Sequence, residues 1–486
     1  MYMKPYSIHP VAALRRRWLL QAGAACAVAG FAAPAAAVGS IAAASDGLTT
    51  RLLPGLAQVR MIGDKAPETA VWAYNGVTPG PVLRLRQGTP FRATVENHLA
   101  EDTTVHWHGI RLPNAMDGVP GLTQKPIPPG GRFDYAFTPP DAGTFWYHSH
   151  DDGLLQMGRG LVGALIIEEA EPPAVDRDLL WTIQDWRLES DAQIAPGFNN
   201  RMEEAMAGRI GNMVTINGFV PDAVRVRAGE RVRLRLLNAA IGRIMALRFE
   251  GHRPVIVALD GQPCAPHEPA DGRVLLGPAM RADVMLDMSG EPGRSYRVVD
   301  DFYGGLSYVL VHLAYDEASL LRPHPLDAPR RLPSNPVPRP DLATAVTQAV
   351  HMQGGMMGGM RGGGMMGGMM GMGGGAAWAI NGQSMTGDGG AGMKPLFRIE
   401  RGRSCILEFL NETMWWHPMH LHGHSFNVLT RDGVPVPHDE WGDTVLVRPQ
   451  ERVRVAFVAD NPGDWMLHCH IMDHQVAGLM GVFQVS

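Results

Sequence analysis

Three stretches of this chain repeat one another, and the repeat limits the fold more than any other feature. The first runs from Tyr74-Asn75-Gly76 through PGPVLRLRQG and FRATVEN to Asn97. The second runs from Ile216-Asn217-Gly218 through PDAVRVRAGERVRLRLLN to Asn238. The third runs from Ile380-Asn381-Gly382 through KPLFRIERGRSCILEFLN to Asn411. Each has an Asn-Gly start, a strand alternating Arg with apolar residues, a Gly turn and a second alternating strand ending in Asn. Period-two alternation broken by Gly is the pattern of a half-buried antiparallel pair. Three copies predict three related all-β domains of the Greek-key sandwich type. The expected boundaries are 45–170, 175–320 and 378–486. Residues 321–377 read as a linker, Pro-rich first and Met/Gly-rich after.

Composition narrows the class. Hydrophobic residues make up 45% and charged residues 19% of the 486, which suits globular domains rather than disorder. A formal net charge of -5 disfavours nucleic acid as a partner. Four cysteines are too few for a disulfide framework. Cys264 and Cys405, in different domains, are expected to be free buried thiols. The start reads as an export signal over residues 1–44. Arg15-Arg16-Arg17-Trp18-Leu19 is twin-arginine-like, and an Ala-rich run follows. Cleavage after Ala37 or Ala44 would remove Cys26. The run is richer in small residues than a membrane anchor would be. The expectation is a periplasmic protein, delivered folded by the twin-arginine machinery and left with no stable membrane span.

The histidines carry the chemistry. They cluster as His106-Trp107-His108, His148-Ser149-His150, His417-Pro418-Met419-His420-Leu421-His422 and His468-Cys469-His470 with His474. A His-x-His pair on a strand puts both imidazoles on one face, within reach of one metal or an adjacent pair. AGTFWYHSH (Ala142–His150) aligns with PGDWMLHCH (Pro462–His470), and VHWHG (Val105–Gly109) aligns with MHLHG (Met419–Gly423). The first and third domains therefore offer equivalent pairs that suit a three-metal cluster. The second domain is an internal control. Arg248 and Glu250 stand opposite His420 and His422, so it reads as metal-free. His252 stands opposite His424, which marks His424 as a fold residue. Cys469 with His417 and His474 makes a His₂Cys set, the pattern of a blue-copper electron-transfer site. Ser149 stands where Cys469 stands, so the first domain cannot build that site.

HWHG, HSH, HPMHLHGH and HCHxxxH, in that order, resemble the three-domain multicopper oxidases, which include laccases and bacterial copper-tolerance oxidases. The resemblance covers essentially the whole mature chain and implies three cupredoxin-like domains and four copper ions. It places His417, Cys469 and His474 as type 1 ligands and His106 and His420 as type 2 ligands. It places His108, His148, His150, His422, His468 and His470 as ligands of the type 3 pair. The family's axial position is Leu479 here. Met480, one residue later, should point to the other face of its strand. A non-coordinating Leu is expected to raise the copper potential. O₂ reduction consumes protons, so a carboxylate is expected nearby. Asp117 matches the family's acidic position, while the position often held by Glu is Gln475. Asp117 alone or Asp473 is the expected proton source; a turn-forming Asp-Gly is the plain alternative for Asp117.

One segment lies outside that scheme. Residues 351–375 read HMQGGMMGGMRGGGMMGGMMGMGGG, a tract that cannot bury a core. Thioethers favour Cu(I), so Met356, Met357, Met360, Met365, Met366, Met369 and Met370 form a candidate Cu(I) substrate site; the alternative is a plain linker. The expected function is oxidation of Cu(I), with some phenols, at the expense of O₂. A laccase acting on phenols or aromatic amines is the alternative. A copper-free structural protein of the cell envelope is disfavoured by the complete ligand set.

Overall fold

The computed structural model describes residues 47–322, 324, 326–356, 377–387 and 393–486. The signal expected over residues 1–44 lies outside the described residues, as do Met357, Met360, Met365, Met366, Met369 and Met370. Among the described residues the fold is built from strands, with short α-helices at Gly153–Gly158, Arg201–Glu204 and Met472–Val476. No helix there is long and apolar enough to cross a membrane.

The repeat becomes one construction made three times. Asn75, Asn217 and Asn381 turn the chain at φ 56°, 52° and 52°, a left-handed region that Asn tolerates. Each side chain then pins a neighbouring segment. Oδ1 accepts from the N–H of Leu53, Thr182 or His351 at 2.7, 2.9 and 2.8 Å. Nδ2 donates to the carbonyl of Arg51, Leu180 or Ala349 at 2.9, 2.7 and 2.8 Å. The pinned segments are strands parallel to the second repeat strand. Leu48–Leu52 lies beside Phe91–Glu96, Arg177–Trp186 beside Arg231–Asn238, and Val346–Gly354 beside Ser404–Asn411. The closing Asn97, Asn238 and Asn411 are buried. Each accepts from the N–H two residues on and donates to two carbonyls further along the chain. Buried backbone groups at the strand ends are thereby satisfied.

The last parallel strand corrects an expectation. Val346–Gly354 falls in the stretch assigned to the linker, yet it is hydrogen-bonded into the third unit's sheet. That unit therefore begins well before Trp378. The alternation of VTQAVHMQG is short, and Pro-rich and Met/Gly-rich flanks concealed it.

Two sheets carry the histidines. In the third unit the order is Phe397–Ile399, Met480–Val485, Gly463–Cys469, His417–Leu421, Thr444–Val447. In the first it is Gly80–Arg86, Val162–Glu168, Gly143–His148, His106–His108. The registers match, with His106 opposite His148 and His420 opposite His468. A single apolar core includes Trp107, Phe145 and Tyr147 of the first unit with Leu421, Trp465 and Phe483 of the third. The second unit is tied in by buried charges. Arg233 bridges Glu169 and Asp283, each at 2.6 Å, and Arg235 bridges Asp178 at 2.8 Å and Asp283 at 3.2 Å. Buried charges are tolerated when paired and hydrogen-bonded in this way.

Candidate metal centre

Ligand atoms of three buried histidine groups lie within 4.8 Å of one another: His106, His108, His420; His108, His148, His470; and His150, His422, His468. The inner nitrogens have nothing to bond. His106 Nε2, His420 Nε2 and both nitrogens of His150 and His470 lack partners. His422 Nε2 faces His468 Nε2 at 3.1 Å, and His148 Nε2 faces His108 Nδ1 at 3.4 Å. Leaving buried polar atoms unpaired costs about 1–3 kcal/mol each, so this convergence fits metal cations better than any packing role.

The outer nitrogens are fixed. His106 Nδ1 meets the Asp117 carbonyl at 2.7 Å, and His420 Nδ1 meets the Asp443 carbonyl at 2.9 Å. His148 and His468 use the carbonyls of Ser149 and Cys469, at 2.8 and 3.0 Å. His422 Nδ1 meets Asp117 Oδ2 at 2.8 Å. These five therefore turn Nε2 inward. His108 is reversed: Nε2 meets Asp443 Oδ1 at 3.0 Å, leaving Nδ1 inward. Such partners fix the ring and its tautomer. Burial pushes His108, His148, His422, His468 and His470 well below the usual histidine range, and His150 down to about 3. The neutral imidazole is the form that binds metal. Burial opposes the charge on Asp117, but His422 and His106 beside it outweigh that and hold it well below the usual carboxylate range.

A second centre stands apart. His417 Nδ1 and His474 Nδ1 are 3.1 Å apart, and each lies 3.6 Å from Cys469 Sγ. Their outer nitrogens meet Thr413 Oγ1 at 2.9 Å and the Met206 carbonyl at 2.7 Å. Burial pushes the Cys469 thiol up, so a thiolate here needs a cation to stabilise it, which suits a thiophilic metal. Leu479 is fully buried in the same apolar cluster as Cys469. Met480 packs instead with Val119 and Met466.

The remaining candidates fall elsewhere. Asp473 accepts from the Arg209 N–H at 2.8 Å and belongs to none of the ligand groups. Gln475 is buried with both amide atoms unpartnered. His424 packs among Phe457, Trp465 and Phe483. Cys264 and Cys405 are free and buried. Among the described residues no ligand group includes a second-unit residue; Arg248 pairs with Glu250 and Asp301. In the first unit, Thr103, Ser149 and Leu154 occupy the places of His417, Cys469 and His474. Thr103 and Ser149 both donate to Gln156 Oε1 at 2.7 Å, so hydrogen bonds fill that position.

Sequence reasoning missed Asp443, Arg281 and Asp260. Arg281 chelates Asp443 through Nη1 at 2.9 Å and Nη2 at 2.5 Å. Asp260 accepts from the backbone N–H of Arg281, Asp443 and Thr444 at 2.8, 3.3 and 3.0 Å. Burial, with the Asp443 carboxylate adding to it, pushes Asp260 above the usual carboxylate range. Burial also opposes the charge on Asp443, but Arg281 and His420 hold its carboxyl low. The one signal was an acidic residue inside the apolar run GDTVLV, with no histidine beside it.

Three family models, each described as multicopper oxidase, match residues 57–172, 177–311 and 370–486. The chain is 31% identical over 473 residues to the multicopper oxidase MmcO of Mycobacterium tuberculosis, covering 89% of this chain and 86% of that one. It is 28% identical to Laccase-1 of Fomitopsis schrenkii, covering 85% of this chain and 83% of that one. Among solved structures, a multicopper oxidase from Pseudomonas thermotolerans superposes with a TM-score of 0.80 at 35% identity, covering 91% of this chain and all of that one. A converging set of eight buried imidazoles, a separate Cys-His-His centre and these matches lead to one identification: the chain belongs to the three-domain multicopper oxidases, copper oxidoreductases that use O₂ as electron acceptor.

Proposed function

We propose that the chain holds four copper ions and oxidises Cu(I), with phenols as secondary substrates. His417, Cys469 and His474 would hold the type 1 ion, and His106 and His420 the type 2 ion. His108, His148 and His470 would hold one ion of the type 3 pair, and His150, His422 and His468 the other. When bound, copper supplies one-electron oxidation at the first site and four-electron reduction of O₂ to water at the cluster. The protein supplies the connection, since Cys469 is bonded through the backbone to both His468 and His470. Asp117, ionised and in contact with His106 and His422, orients two ligands and is a carboxylate through which protons can be relayed. Asp473 turns instead to the Arg209 N–H.

The observation that carries the Cu(I) reading is where the Met-rich tract leaves the fold. The Met356 N–H donates to the Ala205 carbonyl at 2.7 Å, and Trp415 Nε1 donates to the Met356 carbonyl at 3.0 Å. Ala205 precedes Met206, whose carbonyl meets His474. At the other end, Ala377 accepts from the Gly355 N–H at 3.0 Å. Both ends of the tract are therefore tied beside the His474 centre. Leu479 favours the laccase reading, because it offers that centre no thioether. Periplasmic location after twin-arginine export completes the proposal and rests on the N-terminal sequence alone.

The test is oxygen uptake by the copper-loaded mature protein with chelated Cu(I) or a dimethoxyphenol, for the intact chain and one lacking residues 357–376. The deletion spares Met352, which is buried in the strand Val346–Gly354. Cu(I) as the better substrate, slowed selectively by the deletion, supports the proposal. Phenol as the better substrate, with neither rate changed, leaves a laccase with a linker.

A further inference from the structure

The second domain supplies no candidate ligand among the described residues, yet two of its side chains, Arg281 and Asp260, hold Asp443 behind the cluster. Arg281 is fully buried on the strand Arg281–Asp287. Besides chelating Asp443, it donates to the carbonyls of Thr144, Ala279 and Asp260 at 3.1, 3.0 and 3.0 Å. All five of its donors are thus engaged and its planar head is fixed. Asp443 passes that placement on. Its Oδ1 takes His108 Nε2 at 3.0 Å and the Thr444 hydroxyl at 2.8 Å, and its carbonyl takes His420 Nδ1 at 2.9 Å. Asp260, also of the second domain, holds the backbone of Asp443 and Thr444 from behind. The turn after His108 is built around the pair. A Cβ on Gly109, at φ +84°, would lie 2.4 Å from Asp443 Oδ2 and 2.5 Å from Arg281 Nη2.

Of the six cluster rings whose outer nitrogen has a partner, His108 alone presents Nδ1 to the cluster, and a hydrogen-bond acceptor behind Nε2 selects that tautomer. A carboxylate does so only if it cannot swing away. We propose that Arg281 is a positioning residue of the trinuclear site. It locks Asp443 so that His108 offers Nδ1 to a type 3 ion and His420 offers Nε2 to the type 2 ion, making the metal-free domain a working part of the cluster. This rests on the cluster reading above.

The test compares copper-loaded wild type, Arg281→Gln, Arg281→Lys, Asp443→Asn and the double variant Arg281→Gln/Asp443→Asn. Cluster copper is read by type 2 electron paramagnetic resonance and by copper per chain under chelator competition; the type 1 signal, from residues that do not touch Arg281, is the internal control. Losing such an outer partner typically weakens metal binding by about 10- to 100-fold. Arg281→Gln should show that loss with an altered type 2 hyperfine pattern and an intact type 1 signal. Arg281→Lys should recover part of it, and the double variant should be no worse than Asp443→Asn alone. An Arg281→Gln protein with full cluster copper and an unchanged type 2 spectrum overturns the proposal. Equal loss of type 1 and cluster copper also overturns it, since Arg281 would then serve only the fold. A wild type with a type 1 signal but no type 2 signal overturns the cluster reading and this inference with it.

Discussion

The Met206 carbonyl oxygen lies 2.7 Å from His474 Nε2, so the outer edge of the Cys-His-His centre faces second-domain backbone. Trp378 secures that cover. It is 1% exposed, its ring is 4.4 Å from His474 and 5.0 Å from His417, and its indole N–H donates to the Glu204 carbonyl. Removing such a ring costs about 3–5 kcal/mol. Trp378→Ala should lower the unfolding temperature of the metal-free protein and bleach the type 1 band by admitting water beside His474. Trp378→Phe keeps most of the packing and loses one hydrogen bond, about 0.5–1.5 kcal/mol. An unchanged melting curve for Trp378→Ala would remove Trp378 from this role.

Leu479 and Cys469 share a core cluster, and the Leu479 carbonyl accepts the Cys469 N–H at 2.9 Å. Leu→Met nearly conserves volume and should cost less than about 1.5 kcal/mol. Leu479→Met would place a thioether beside the type 1 ion. The expected outcome is a lower potential in redox titration and slower turnover of the least easily oxidised phenols. A potential that stays put would show that residue 479 does not face the ion.

Much of this was legible in the sequence for a physical reason. Asn-Gly turns and His-x-His pairs are local: spacing on a strand fixes which side chains share a face, so Asn75, Asn217 and Asn381, and the clusters around His106 and His468, declare themselves. What was hidden depends on the chain returning from afar. Asp443 matters because His108 and Arg281 arrive beside it from other domains, and nothing within ten residues says so. The Met206 carbonyl was invisible because any residue type offers one. Val346–Gly354 was lost because its alternation lies between two low-complexity flanks.

Ser149 stands at the place of Cys469, but its neighbours are Thr103 and Gln156 rather than imidazoles. Ser149→Cys should therefore create no second blue centre. The thiol donates weakly, so Gln156 Oε1 keeps Thr103 but loses most of its second donor, at a cost of about 0.5–1.5 kcal/mol. Absorbance per copper should match wild type while the metal-free variant melts earlier. A second type 1 signal would mean that a thiolate alone suffices in that pocket.

Asp473 carries the clearest pH signature of the metal-free chain. Burial, with Glu203 adding to it, pushes its carboxyl up to about 6 from an ordinary 3.8, against the opposing pull of the Arg209 N–H. Below the ordinary value both folded and unfolded chains hold the proton, and the group is neutral in effect. As pH rises toward 6, the unfolded chain ionises first, so stability falls through that window and stays lower above it. A rise of that size corresponds to roughly 2–3 kcal/mol. Asp473→Asn keeps an acceptor for Arg209 and cannot ionise. Urea unfolding of both metal-free proteins should therefore coincide near pH 4 and diverge above pH 6, with the variant the more stable. Parallel curves across the range would mean that Asp473 keeps an ordinary carboxyl in the folded chain, and a proton-donating role for it would lose its physical basis.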